Sequence, residues 1–148
     1  MYGVLLAIHN LLRWFVLLAG AFVLLRAVVG LLAKRPWSQA DRRAGILYTS
    51  ALDLQFLAGL FLTFTSPLVR AALANVQAAL SMNDLRFFPF EHIPFMLVAV
   101  FLAHAGSSQA RKAKEASGQH RRAALWYGLS LLVILLAIPW WRPLLRGL

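Results

Sequence analysis

The chain has 148 residues, of which 61% are hydrophobic, and its mean hydropathy is +0.70. Soluble domains are about 45–50% apolar, so this composition argues against a soluble domain and predicts an integral membrane protein with a single domain over residues 1–148. Cysteine is absent, which excludes disulfides, iron–sulfur clusters and cysteine-ligated zinc. The net charge is +10, but the cations lie in short loops beside apolar segments, which favours anionic lipid and not nucleic acid as their partner.

The first predicted membrane span covers residues 4–32. A bilayer core requires about 20 apolar residues, so this segment is long enough to cross it. No basic region or small-residue cleavage site accompanies the segment, so we expect a retained helix and not a signal peptide. Pro36, which follows Lys34 and Arg35, is expected to stop the helix.

Three further spans are predicted at residues 44–66, 88–106 and 123–141. Residues 67–88, between the second and third spans, carry apolar side chains at helical spacing but are too polar to cross a membrane. We predict that this segment forms a short amphipathic helix, which lies on the membrane surface as a lid. The predicted fold is therefore an all-α, integral membrane four-helix bundle with one surface helix.

Lysine and arginine are more numerous in the first and third loops than in the second loop and the C-terminal tail. This bias predicts that the first and third loops are cytoplasmic and that both termini lie outside the cytoplasm. Spans one and three then run in the same direction, from the outer to the inner surface. Polar residues near the start of both spans would therefore lie at one depth.

The polar residues at that outer depth are the strongest functional signal. His9 and His92 lie near the outer ends of spans one and three, Arg13 follows His9 by one turn, and Gly20 lies about three turns after His9. Two imidazoles from different helices, a cation for a propionate and a glycine that admits a flat macrocycle suit haem b. Glu91 could bond a ligand imidazole or carry protons. A polar network, in which His9 simply bonds Glu91 or a carbonyl, is the alternative.

A second polar group is predicted near the inner surface. We expect Arg26 and Asp53 to form an ion pair, because unpaired charges are costly at this depth, and His104 could join them. A structural ion pair is the favoured interpretation; a proton relay, a quinone head-group site or a second haem remain open. His104 lies about 18 Å along the helix from His92, so the two cannot ligate one iron. His120 is expected to be solvated in a basic loop.

Several of these residues form a pattern that resembles a group of small bacterial four-helix membrane proteins labelled cytochrome b-like. The pattern comprises HxxxRW from His9, DR from Asp41, LQxxxGL from Leu54, and EHxxxMxxAxxxAHxG from Glu91 to Gly106. The resemblance covers most of the chain except the amphipathic segment and the last span. More distantly, the chain resembles cytochrome b561 proteins and the membrane anchors of succinate dehydrogenase.

The resemblance implies haem b and membrane electron transfer, with the histidine pair His9 and His92 intact. Relatives often carry histidine at the position of Asp53, so the resemblance implies that a second, inner haem with His104 lacks a ligand here. It also implies location in a bacterial inner membrane, with quinone and a larger respiratory complex as partners beside the lipid. A second copy of the chain is a further expected partner, because four short spans enclose little core.

The expected function is therefore that of a haem b-binding membrane cytochrome, which passes electrons between quinol and a partner protein. It would act as an electron carrier or as a subunit of a quinol-linked oxidoreductase. Two alternatives remain open. One is a cofactor-free structural or assembly subunit of a larger membrane complex, in which polar residues hold helices together. The other is a small proton-conducting or transport protein that uses the inner residues Arg26, Asp53 and His104.

Overall fold

A computed structural model describes residues 2–142, and the chain is all-α over this range. It forms six continuous helices: α1 (Tyr2–Leu32), α2 (Gln39–Thr65), α3 (Pro67–Ala74), α4 (Val76–Leu80), α5 (Asn83–Lys112) and α6 (Ala116–Ala137). One stretch of α5, Phe87–His92, is π-helical. Residues 1 and 143–148 lie outside the described range; they include Arg146, one of the two tail cations used to predict the orientation, whereas the other, Arg142, is described.

The predicted four-helix membrane bundle is wrong, because the described residues form six helices and three of these are long and apolar enough to cross a membrane: α1, α2 and α5. The fourth predicted span belongs to α6, which begins with polar turns at Ala116 and ends at Ala137. Ile138 is extended because Pro139 follows it. The apolar part of α6 therefore falls short of the about 20 residues that a bilayer requires.

The segment predicted as one surface helix is divided into α3, α4 and the first turn of α5. Ser66 caps α3 by accepting a hydrogen bond from the Val69 backbone N–H, with Pro67 at the first helical position. Asn75 leaves the helical conformation and caps α4, because its Oδ1 accepts from Ala78 N–H at 3.0 Å. The Asn75 side chain thus ends α3 and at the same time satisfies a backbone N–H at the start of α4. Val69 is buried, so α3 closes over the end of the molecule where α1 begins.

The loop between α1 and α2 is fixed by a capping box. The Ser38 hydroxyl accepts from the Asp41 backbone N–H, and the Asp41 carboxylate accepts from the Ser38 backbone N–H at 2.9 Å. Lys34 has a φ of 51°, the left-handed conformation that reverses the chain after α1. Asp41 is thereby held beside the last turns of α1.

Helix α6 packs antiparallel to both α1 and α5, so α1 and α5 run parallel to each other. Its early residue His120 lies over Gly30 of α1, and its late residue Ala137 meets His92 near the start of α5. Near the middle, the Ser130 hydroxyl donates to the Ala99 carbonyl of α5 at 2.8 Å. Buried alanines and the buried Gly106 along α5 let the helices approach closely, as is typical of helix packing in membranes.

His120 is not solvated, contrary to the prediction from sequence. It is 0% exposed, because α6 begins at Ala116 and thus places His120 in a helical turn that faces α1. The imidazole packs on Gly30 and edge-on against Trp37, whose ring centroid is 4.9 Å away. Neither ring nitrogen has a hydrogen-bond partner among the described residues.

Gly30→Ala should destabilise the protein by about 1–3 kcal/mol, because overpacking a closed interior forces side chains out of place. A Cβ at Gly30 would lie 2.1 Å from the His120 ring, whereas a Cβ at Gly3 would have no neighbour within 4 Å. Thermal unfolding in mild detergent measures the effect, with Gly3→Ala as the matched control. Adding His120→Ala to Gly30→Ala should recover part of the loss. An unchanged melting temperature for Gly30→Ala would contradict this packing.

Candidate functional site

A cavity of about 340 Å³ lies at the end of the molecule where α1 begins. Its walls come from α1, α2, α5 and α6, and α3 closes it from above. Most lining side chains are apolar; the polar ones include His9, Asn10, Arg13, Gln55 and His92. An apolar cavity with a few convergent polar groups is the usual form of a small-molecule or cofactor site, for which volumes of about 300–1,000 Å³ are typical.

The π-helical stretch of α5 positions His92 in this cavity. Pro89 and Pro94 lack the backbone N–H of a regular helix, and proline rings crowd the carbonyl one turn earlier. The helix widens between them, and π-helical turns are frequent at functional sites. His92 Nδ1 donates to the Ala137 carbonyl of α6 at 2.8 Å. This bond fixes the ring and leaves the lone pair on Nε2.

His9 enters the cavity from α1 and meets α2. Its Nε2 lies 3.2 Å from the Gln55 side-chain amide, which donates to it. Its Nδ1 is buried and has no hydrogen-bond partner in residues 2–142, and neither has Gln55 Oε1. A Cβ at Gly59 would come within 3.1 Å of His9 Cε1, so a glycine here gives the imidazole its room. The site thus contains buried polar atoms that a ligand could satisfy.

The two imidazoles lie next to each other in the cavity in an edge-to-face arrangement. Their ring centroids are 6.3 Å apart and the ring planes are inclined by 72°. A metal–imidazole bond is about 2 Å, and the ring nitrogen lies about 1.2 Å from the ring centre, so opposed imidazoles on one metal have centroids about 6.4 Å apart. The centroid separation of His9 and His92 is therefore close to that of two imidazoles bound to one metal ion.

The cavity wall carries positive charge. Arg13 is 9% exposed, and its guanidinium lies 3.4 Å from Asn10 Oδ1. Arg142 also lines the cavity and donates to Asp84 Oδ2 at 2.5 Å. No aspartate or glutamate lines the cavity among the described residues. The wall is therefore suited to an anionic group beside the two imidazoles.

Two residues predicted for this site lie elsewhere. Glu91 accepts from Arg86 Nε at 2.7 Å and faces a separate groove outside the cavity. Gly20 packs below the cavity, where an added Cβ would lie 2.9 Å from the Tyr48 ring and 3.0 Å from Leu131. The glycine that adjoins His9 is instead Gly59 of α2, already present in the LQxxxGL motif.

The predicted Arg26–Asp53 ion pair is wrong. Arg26 binds Asp41, with 2.8 Å between its Nη2 and the carboxylate, because the capping box of α2 holds Asp41 beside α1. Asp53 lies about 18 Å further along α2 and accepts instead from His104 Nε2 at 2.9 Å. The inner residues therefore form two separate pairs and not one cluster.

Gln55 is a site residue that was not predicted from sequence; it is 7% exposed and touches His9. A glutamine in an apolar span is itself a signal, because its amide needs partners inside a membrane.

No protein-family model matches the chain, and neither does any curated protein or solved structure. Its function therefore has to be inferred from the cavity itself.

Arg26→Gln and Asp41→Asn should be non-additive in a double-mutant cycle, with a coupling energy of about 0.5–3 kcal/mol, because the two side chains bind each other. Arg26→Gln combined with Asp53→Asn should be additive to within about 0.5 kcal/mol. Thermal or denaturant unfolding in mild detergent measures both cycles. Coupling to Asp53 in place of Asp41 would contradict the observed pairing.

Proposed function

We propose that the protein is a haem b-binding membrane protein that transfers electrons, with His9 and His92 as the axial ligands of one haem iron. The separation of 6.3 Å between the two ring centroids, inside a largely apolar cavity, is the observation that carries this proposal. Helix-built cofactor sites are commonly formed in this way, from side chains on facing helices.

The hydrogen bonds around the two imidazoles fit ligation. Metal-bound histidines usually donate their other N–H to a carbonyl or carboxylate, which fixes the ring and raises its basicity. The His92 Nδ1–H bond to the Ala137 carbonyl is of this kind. Nε2 of His92 then remains for a metal ion. His9 would bind the metal through Nδ1 with its proton on Nε2, and the Gln55 side chain would then turn so that Oε1, which is unpaired in the described chain, accepts from Nε2.

The rest of the cavity fits a flat, largely apolar group that carries carboxylates. The apolar wall would exclude water from the macrocycle, and burial of this kind is one of the means by which proteins set haem potential. Arg13, one turn from His9, would pair with a propionate. When bound, the haem supplies the one-electron chemistry, while the chain supplies ligation, an apolar enclosure and a cation.

One haem fits the described residues better than two. His104 lies outside the cavity and bonds Asp53 on the surface of the molecule. The residue that would pair with it for a second haem is thus a carboxylate, which already accepts from His104. We therefore assign only the His9–His92 site to haem.

The membrane setting of the proposal follows from the three long apolar helices and the charge bias of the loops. We place the chain in a bacterial inner membrane, with the basic loops after α1 and α5 in the cytoplasm. The haem site then lies near the outer surface. Quinol would supply electrons, and a partner protein, such as a larger respiratory complex, would accept them.

His9→Ala and His92→Ala should each abolish low-spin haem binding, because one axial ligand is lost. Reduced-minus-oxidised visible spectra and a pyridine haemochrome assay on protein purified in mild detergent measure the haem per chain. His104→Ala, which removes an exposed histidine outside the cavity, should retain one haem per chain. In His9→Gly, added imidazole should restore the low-spin spectrum. A full, unshifted spectrum in both alanine variants would refute the ligand assignment.

Arg13→Gln should lower the haem midpoint potential, because a buried positive charge favours the reduced iron over the more positive oxidised iron. Arg13→Lys, which keeps the charge, should shift the potential less. A spectroelectrochemical titration of the purified protein measures both variants against the parent. An unchanged potential in Arg13→Gln would show that the guanidinium does not act on the haem.

A further inference from the structure

The pair of Asp53 and His104 lies on the outside of the molecule, on two helices that are long and apolar enough to cross a membrane. Their side chains are 45% and 52% exposed. Asp53 lies about 20 Å from each end of α2 (Gln39–Thr65), so it is far from both membrane surfaces if α2 crosses a bilayer. The surface around it is apolar and faces away from the cavity.

A half-exposed polar pair is poorly placed against lipid. Ionisable side chains within membrane helices almost always face a protein interior or a water-filled cavity. The bond between Asp53 Oδ1 and His104 Nε2 satisfies only one atom of each side chain. The second carboxylate oxygen and His104 Nδ1 have no partner in the described part of the chain, and hydrocarbon offers neither of them a hydrogen bond.

The unsatisfied atoms complement each other when His104 is an imidazolium, which donates from Nε2 to Asp53 of its own chain and from Nδ1 to a second acceptor, since a neutral ring that donates from Nε2 has no proton on Nδ1. A two-fold axis beside the pair would bring His104 Nδ1 of one chain to Asp53 Oδ2 of a second copy, and the reverse contact would form by symmetry. Each carboxylate and each imidazole would then be bonded on both sides. A second copy of the chain would thus satisfy all the hydrogen-bonding atoms of the two carboxylates and the two imidazoles.

The neighbouring residues suit close helix contact. One turn from the pair on each helix lies a serine, Ser50 on α2 and Ser108 on α5, and small residues let membrane helices approach closely. Leu57 is 49% and Phe101 68% exposed on the same two helices, so apolar side chains flank the pair. We call the surface formed by these four residues and the pair the α2–α5 face.

We propose that the α2–α5 face is a homodimer interface, held by reciprocal hydrogen bonds between Asp53 of each copy and His104 of the other. The inference rests on the membrane insertion proposed above and not on the haem. Lipid tails are as apolar as leucine, so hydrogen bonds and packing, and not the hydrophobic effect, hold membrane helices together. The hydrogen bonds of Asp53 and His104 are therefore the specific contribution of this face to dimerisation.

Cysteine cross-linking tests the interface, since the chain has no cysteine of its own. Phe101→Cys places a thiol one turn from His104. Leu18→Cys is the matched control, because Leu18 is 70% exposed on α1 and lies nine residues after His9, as Phe101 lies nine after His92. Two differently tagged copies should be co-expressed, and their membranes treated with a short bis-maleimide.

The proposal expects a cross-link between the two tagged copies at Phe101→Cys, and several-fold less at Leu18→Cys. Adding Asp53→Leu and His104→Leu to Phe101→Cys removes both polar partners without leaving either one alone. That variant should dimerise roughly tenfold more weakly, as two hydrogen bonds of the size found between membrane helices predict. Its haem content and melting temperature show that the fold and the cavity are retained.

Equal cross-linking at both cysteine positions, or a cross-link only to a different protein, would overturn the proposal. Unchanged dimerisation of the chain that carries Asp53→Leu and His104→Leu would also overturn it.

Carbonate extraction distinguishes failure of the dimer proposal from failure of the membrane proposal. A chain that carbonate removes from the membrane overturns both, whereas a carbonate-resistant chain without cross-linked copies overturns the dimer alone. Haem loss in His9→Ala should leave the cross-link intact.

Discussion

The hydrogen bonds of Ser130 fix the centre of the molecule, and the cavity depends on them. Its hydroxyl donates to the Ala99 carbonyl of α5 and lies 2.8 Å from the Tyr48 hydroxyl of α2, so one buried side chain of α6 joins three helices. Two cavity-lining residues, Leu52 on α2 and Ile134 on α6, lie one turn from these contacts. Because buried polar groups are costly when unpaired, this arrangement allows few other packings. The floor of the cavity is thus held by hydrogen bonds between three helices, while its roof is the short, capped helix α3.

The difference between polar groups that have hydrogen-bond partners and those that have none indicates that the cavity is suited to a ligand. Ser130 and Tyr48 bond each other, whereas His9 Nδ1 and Gln55 Oε1 do not find partners in the described chain. A buried polar atom without a partner costs about 1–3 kcal/mol. Such atoms alone do not define a site, since both nitrogens of His120 are also unpaired, yet its ring packs directly on Gly30. At His9 the unpaired atom adjoins an open cavity and a second imidazole.

Helix periodicity and direction suffice to predict that His9 and His92 lie at one depth, because both start spans that run the same way. The same reasoning fails for Arg26. Sequence shows that Asp41 and Asp53 both lie on α2, but not that the Ser38 capping box holds Asp41 within reach of α1. Local capping, which acts over a few residues, thus decides a contact between helices.

Other features follow from tertiary packing that no periodicity reveals. Asn75 divides the surface segment into two helices because its side chain caps the second one. His120 is buried because α1 carries a glycine opposite it, a match that appears only when the two helices are paired. Composition predicts the helical class and the apolar segments. It does not predict that three of the described helices are long and apolar enough to cross a membrane while α6 is not, because polar turns and Pro139 set the limits of α6.

The two histidines of α5 show how one helix can serve an interior site and an outer surface. His104 follows His92 by twelve residues, which is three turns and about a third of another. His92 therefore faces the cavity and α6, while His104 faces outward beside Asp53. His92 Nδ1 donates to the Ala137 carbonyl, which leaves Nε2 for a ligand. His104 Nε2 donates to Asp53, but the His104 side chain remains half-exposed. In the proposals made above, a ligand in the interior completes the first arrangement and a second copy of the chain completes the second, so each polar pair has a different partner.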